Sequence, residues 1–450
     1  MAEQIDKIKQ ALAAFSCLTL YRKIFDDDIL RLFREVLALA AKNEADAVDR
    51  YFDLLGRLLN LQKNYYLDGI GIFQNHLLDT MLEAETSFSL QCEKEDLNAI
   101  DSLLVEAVKN DLRLLKVIYD FDLNRLGSEL ARAYKAENVA PVFGSLVVSS
   151  SRRRVYPQYY FEKREEFKKV LAGSRKWSEN LTELHCYYRA VGSGRFARYW
   201  AFKWHECGVE PELAGIAEPD PIRMEDLVGY DDQKQEILRN TRQFVKGLSA
   251  NNMLLYGDRG TGKSSMIKSL VHIFGAEGLR LIEVSKHDLF SLHRIIEVIS
   301  GRAQRFIIFI DDLSFEEDET EYKELKALLE GSIARPPENV RVYATSNRRN
   351  LVREFFSDRE SDEVGRQDTY QEKLSLADRF GIKLVFPTPD KWEYLKTVEA
   401  IAEKKGIDID KAILHDLALK WVMWHNSRSG RTARQFVDDL KGRLDLEMSR

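Results

Sequence analysis

Gly257-Asp258-Arg259-Gly260-Thr261-Gly262-Lys263-Ser264 fits, at every fixed position, the pattern of a glycine, four free residues, Gly-Lys and then Ser or Thr. The apolar run Met253–Tyr256 in front of it predicts a strand, and Ser264–Phe274 behind it predicts a helix. That context gives the motif its mechanism. Glycines let backbone N–H groups close around a phosphate, and the helix N-terminus adds partial positive charge. Lys263 is placed to reach the β- and γ-phosphates and Ser264 to put its hydroxyl on Mg²⁺. Gly257 through Ser265 are therefore the predicted nucleotide-binding run, with ATP and Mg²⁺ as the expected cofactors.

About fifty residues on, Phe306-Ile307-Ile308-Phe309-Ile310 is fully apolar and ends in Asp311-Asp312. Alone it reads as a buried strand capped by two solvated acids. After a phosphate loop it reads as a metal-holding strand end, with Asp311 on Mg²⁺ through water and Asp312 polarising the attacking water. Ala344-Thr345-Ser346-Asn347 ends a further strand, where Asn347 could orient that water. Asn347 is followed by Arg348-Arg349-Asn350, so the Asn-Lys-x-Asp that reads guanine is missing. A small-molecule kinase would not explain the long helical tail with its own arginine. Arg379 in Asp378-Arg379-Phe380-Gly381 and Arg434 in the last helix are each ordinary surface arginines by themselves. Their order after the phosphate loop gives them weight.

Outward from the motif, strands and helices alternate from 225 to 389, which predicts a parallel sheet covered on both faces. From Lys391 the pattern is helical again, a lid over 390–450. Residues 1–135 carry apolar positions at three- and four-residue steps and read as a helical domain. Residues 136–224 read as a connector. It holds Arg152-Arg153-Arg154 with Tyr156, Tyr159 and Tyr160 behind, basic and aromatic residues that suit a nucleic-acid strand, although a solvated charge run beside packed aromatics is commoner. Gly192-Ser193-Gly194 lacks the third glycine of a dinucleotide site. Phe196, Tyr199, Trp200 and Trp204 read as one packed helical face, and Pro211, Pro219 and Pro221 as a linker.

The set resembles the AAA+ ATPases. Asp226-Leu227-Val228-Gly229-Tyr230 resembles their adenine-contacting segment, with Val228 and Gly229 at the base. Asn251–Lys263, Asp311-Asp312-Leu313-Ser314-Phe315-Glu316, Thr345-Ser346-Asn347-Arg348-Arg349 and the Gly-rich aromatic stretch near 192–204 are most similar to domain-of-unknown-function family 815, a group of bacterial predicted ATPases. The resemblance implies Lys263 and Ser264 as Walker A, Asp311 as Walker B, Asn347 as sensor 1 and Arg434 as sensor 2. It implies Arg379 as an arginine finger acting on a neighbouring subunit, and hence a ring, commonly a hexamer. Most AAA+ ATPases carry Asp-Glu where this chain has Asp311-Asp312, although the family-815 group it resembles shares the Asp-Asp-Leu-Ser-Phe-Glu run. The shorter Asp312, with Glu316 four residues on, leaves two candidates for the general base and suggests slow turnover.

Composition sets the remaining bounds. The chain has 450 residues, 44% hydrophobic and 31% charged, close to a globular average. Net charge is −6, from 67 basic and 73 acidic residues, so charge alone makes no case for nucleic acid. No apolar run approaches the ~20 residues of a membrane helix, and acidic Glu3 and Asp6 in front of Ala11–Leu20 argue against a signal peptide. Four scattered cysteines without a CxxC pair point to reduced thiols in the cytoplasm. His185-Cys186 with His205-x-Cys207 is too widely spaced for an ordinary zinc loop. The expected function is hydrolysis of ATP with Mg²⁺ to remodel or load a protein partner recognised by the N-terminal region. A nucleotide switch with little hydrolysis, and a nucleic-acid-stimulated ATPase, are the alternatives.

Overall fold

The computed structural model describes residues 2–61, 70–133, 157–205, 212–315, 322–330, 337–347, 376–425 and 427–448. Arg152–Arg154, Tyr156, Cys207, Glu316 and Arg348–Arg349 lie outside them. The chain forms two compact units, Met1–Arg198 and Tyr199–Arg450.

The first unit is helical: α1 (Ala2–Cys17), α2 (Asp28–Lys42), α3 (Asp46–Leu61), α4 (Ile72–Glu83), α5 (Ser87–Cys92), α6 (Ser102–Tyr119), α7 (Leu123–Ala133), α8 (Gln158–Gly173), α9 (Leu181–Val191) and α10 (Gly194–Arg198). Helix α2 shows why the sequence folds this way. The Asp27 carboxylate accepts from the Ile29 and Leu30 N–H groups at the start. Ile29, Leu30, Phe33, Val36 and Leu37 share the buried face, and Asn43 ends the helix in the left-handed region at φ 60°. Phe33 packs against Phe15, Phe73 and Phe121, with ring centroids 5.8, 4.5 and 5.5 Å away. The fully buried Asp111 carboxylate on α6 accepts the backbone N–H groups of Thr19, Leu20 and Tyr21. It fixes the turn that follows α1.

The second unit is built on a seven-stranded sheet of β1 (Ala201–His205), β2 (Glu212–Gly215), β3 (Met253–Gly257), β4 (Leu279–Val284), β5 (Arg305–Ile310), β6 (Val340–Ser346) and β7 (Ile382–Phe386). Its order is β2-β1-β4-β5-β6-β3-β7. All neighbours are parallel except β1 with β2. Helices α11 (Asp231–Val245), α12 (Lys263–Phe274), α13 (Leu292–Ser300) and α14 (Tyr322–Glu330) connect the strands. Phe306 to Ile310 are all buried, as a strand covered on both faces requires. The lid is α15 (Lys391–Lys404), α16 (Lys411–His425) and α17 (Gly430–Met448), closed on Tyr394, Val398, Leu414, Phe436 and Val437.

One local expectation fails. Tyr199, Trp200 and Trp204 do not share a helical face with Phe196. The helix α10 ends at Arg198, and residues 201–205 form a strand on β4. Burial there alternates, with Phe202 and Trp204 in and Lys203 and His205 out. That is the period of two of a strand, and the Leu281 N–H to Trp200 carbonyl bond of 2.9 Å anchors it. Two aromatics two residues apart outweigh an apparent three- and four-residue spacing. The sheet thereby takes two strands from upstream of residue 225.

Candidate nucleotide site

Strand β3 delivers the phosphate loop at the carboxyl end of the sheet. Gly257, Gly260 and Gly262 have φ of 139°, 78° and 91°, a region closed to most side chains. Space is also short. A Cβ on Gly260 would stand 2.7 Å from Ser429 Oγ, and one on Gly257 would collide with the Phe386 carbonyl. The turn then enters α12 at Lys263.

Lys263 is 6% exposed. Its Nζ donates to the carbonyls of Gly257 and Asp258 at 2.8 and 2.7 Å, and lies 3.4 Å from Asn347 Oδ1. Burial pushes the Lys263 ammonium below its ordinary pKa, and the charges of Asp258, Asp312 and Asp311 oppose that shift. Asp311, just past β5, is held through one oxygen. Its Oδ1 accepts from Ser264 Oγ at 2.5 Å and Thr345 Oγ1 at 2.6 Å. Its Oδ2 takes no hydrogen bond from the described residues. Asp312 has φ 51°, left-handed for a residue with a side chain. The Asp312 N–H donates to Thr345 Oγ1 at 3.0 Å, and the Asn347 amide donates to Asp312 Oδ1 at 2.5 Å.

These groups line a single cavity of about 630 Å³, formed by residues 259–266 together with Val228, Asp311, Asp312, Asn347 and Arg434. The lid meets the loop directly, through the Arg431 N–H to the Gly260 carbonyl at 3.3 Å. Gly257 and Asp258 support the wall from behind. The Asp258 carboxylate accepts from the Thr388 N–H at 3.1 Å and from its hydroxyl. Gly229, at φ 81°, opens the turn beside Tyr230, whose hydroxyl donates to the Pro387 carbonyl at 2.6 Å. Lys404 of the lid reaches Asp226 at 2.9 Å. Arg379 is exposed and is no part of this cavity.

Several wall residues carry no sequence signal of their own. Thr345 holds both aspartates, and its trace in the sequence is a hydroxyl near the end of an apolar strand. Thr397 and Ile401 reach the cavity from α15; their helical spacing reads only as lid core.

The donors suit a nucleotide with a magnesium ion. A buried ammonium rests most closely on two backbone carbonyls, at 2.7–2.8 Å, positive-φ glycines expose N–H groups, and a hydroxyl and a carboxylate meet beside them. Hard oxygen donors of this kind suit Mg²⁺. The family model described as "Protein of unknown function (DUF815)" matches residues 197–444, more than half of the chain. No curated protein matches. Matching solved structures include the RuvB Holliday junction branch migration motor of Thermotoga maritima, at 16% identity, covering 51% of this chain and 67% of that one with a TM-score of 0.37. Two variants of it, at 15% and 17% identity over 51% of this chain and 67% and 68% of theirs, also give 0.37. Among the described residues no helix is long and apolar enough to cross a membrane.

Proposed function

The chain belongs to the DUF815 family, and on that premise we propose that it is an ATP hydrolase. It carries a P-loop core of the AAA+ type, and we read it as using Mg²⁺ to remodel or load a macromolecular partner. One observation carries this reading: phosphate loop, acidic strand end, strand-terminal Asn and lid arginine face one cavity. A plain glycine turn would not gather them.

The contacts support the following roles. N–H groups of 259–264 and the Lys263 ammonium hold the β- and γ-phosphates, with Lys263 exchanging its carbonyl partners for phosphate oxygens. Ser264 and Asp311 hold the metal, which when bound neutralises charge on the β- and γ-phosphates. Val228 and Gly229 border the base. Asn347 orients water, Asp312 accepts its proton, and Arg434 brings the lid's charge to the phosphates. Arg379 is exposed and outside its own chain's cavity, which suits action on a neighbouring copy in a ring, as a hexamer or another closed assembly. The residues ahead of the sheet are left to recognise a protein partner, and we place the chain in the cytoplasm on its scattered thiols.

The test is phosphate release from ATP by the full chain and by Lys263→Ala. The expected loss is about 100-fold or more, the scale of one preorganised electrostatic contact. Arg379→Ala should keep ATP binding and lose the part of the rate that grows with protein concentration. Equal, near-background rates for wild type and Lys263→Ala sink the enzymatic claim. A second reading, an ATP-dependent switch that scarcely hydrolyses, is favoured by Asp312. Its backbone is left-handed and its carboxylate already engages Asn347 at 2.5 Å. Tight ATP binding with negligible turnover at high protein concentration would establish it.

A further inference from the structure

A second cavity, of about 560 Å³, opens at the other end of the same strands. Its wall includes Arg305, the first residue of β5, Arg341, the second of β6, and Arg379, just before β7. Glu338 is the one carboxylate among the described residues that line it. The Arg305 and Arg341 guanidiniums both lie against the Phe244 ring, 5.8 and 5.2 Å from its centroid. Arg305 donates to the Glu338 carbonyl at 3.1 Å, and Arg341 to the carbonyls of Ala250 and Val340 at 2.8 and 2.6 Å. These are neutral acceptors, and among the described residues neither of these two cations forms an ion pair with a carboxylate. Burial first, and then the Arg305 charge, push the Arg341 guanidinium below its ordinary pKa, and Tyr343 and the Glu338 carboxylate oppose that shift. Two partly buried like charges around one ring repel each other, and Glu338 is the one described carboxylate in the wall to offset them.

We propose that this cavity is an anion site for a small phosphate-bearing ligand, held by the Arg305 and Arg341 guanidiniums. Guanidinium presents a planar fork of donors that matches phosphate oxygens two at a time. Carbonyl bonds to Nε and one terminal nitrogen fix Arg341 in the wall and leave its other terminal nitrogen for a ligand. The concave shape and the volume suit a small molecule, whereas a polynucleotide wants an extended groove. Leu248, Leu328 and Leu329 in the wall give an apolar side on which the ester part of such a ligand can rest.

The experiment uses the full chain with Lys263→Ala, so that the nucleotide cavity of every copy is disabled and a neighbour's nucleotide cannot be the anion measured. Inorganic phosphate, pyrophosphate and AMP are titrated by calorimetry, with thermal melting alongside. Saturable binding near one equivalent per chain is expected, weakened about tenfold or more by adding Arg305→Gln, the loss of one charge-assisted hydrogen bond. Arg305→Lys should recover part of it. Tighter binding of AMP than of phosphate assigns the ester, and equal binding assigns the free anion. Arg341→Gln should act like Arg305→Gln. If it unfolds, Arg305→Gln decides, since that side chain makes a single carbonyl contact. The proposal is overturned by no saturable binding, by binding that Arg305→Gln leaves unchanged, or by binding of polynucleotide alone. None of these outcomes touches the ATP turnover that tests the function above.

Discussion

The two cavities of the second unit lie at opposite ends of the parallel strands of one sheet, and they balance charge differently. At the carboxyl ends, Lys263 stands among Asp258, Asp311 and Asp312, and the acids are shared out among hydroxyls, an amide and backbone N–H groups. Charges of both signs interlock there, an arrangement that fits a polyanion and a cation together. At the amino ends, Arg305, Arg341 and Arg379 line a wall in which Glu338 is the one carboxylate among the described residues, and carbonyls take the hydrogen bonds of Arg305 and Arg341. Such a site has use only for an anion. Catalysis that moves phosphate needs the first arrangement, because charge that develops must find a partner on either side. The second suits binding without chemistry.

The largest way to break the comparison is at Lys263. Lys263→Ala is expected to remove turnover while leaving the arginine cavity's anion binding intact, and loss of both would show the two ends to be one thermodynamic unit. Asp312→Asn comes next. Asn tolerates the left-handed backbone as well as Asp does and still accepts from Asn347, so the fold and ATP binding should stand. A carboxylate that takes the water's proton is worth about 100-fold or more, so phosphate release should fall by that much. An unchanged rate would move the base elsewhere, with Glu316 the next candidate.

The carboxyl end was largely legible and the amino end was not, for a physical reason. The residues of the first cavity sit at strand ends in runs of fixed spacing, from Gly257 to Ser264 and from Phe306 to Asp312, so local sequence carries them. Arg305 and Arg341 are each a lone charge at a strand start. They become neighbours only because β5 and β6 pair with Ile307 opposite Arg341, and register of that kind is written in the strand order, not in either segment. The aromatics at 199–204 were misread for a related cause. Their alternation matters once β4 offers an edge, and nothing near them in sequence announces that edge. Helical residues of the first unit were legible as helix, since spacing at three and four needs no partner to be recognised.

Arg434→Ala sharpens the lid's share. The guanidinium lines the cavity wall from α17 and should contribute one charged contact to the triphosphate. ATP affinity is expected to weaken about tenfold, measured with a non-hydrolysable analogue so that rate and binding stay separate. An unchanged affinity would place Arg434 in closure of the lid, not in holding phosphate.

The smallest expected effect concerns the strap between the lid and the segment at 226–230. The Arg223 N–H bond to the Asp226 carboxylate, at 2.9 Å, is the main influence holding its pKa below the ordinary value, with Lys404 and Arg434 adding to it. A carboxylate whose folded pKa is depressed contributes stability above its unfolded pKa, about 3.9. That contribution is lost as pH falls through the lower folded value. The pair with Lys404 is largely solvent-facing, at 36% and 46% exposure, so its worth is that of a surface ion pair, at most about 1 kcal/mol. Asp226→Asn should therefore lower the melting temperature by about 2 °C or less at pH 7. The deficit should shrink toward zero as the buffer is taken below the ordinary carboxyl range. A deficit that persists unchanged in acid would mean that the side chain acts through its neutral hydrogen bonds, and the lid would then be strapped by geometry alone.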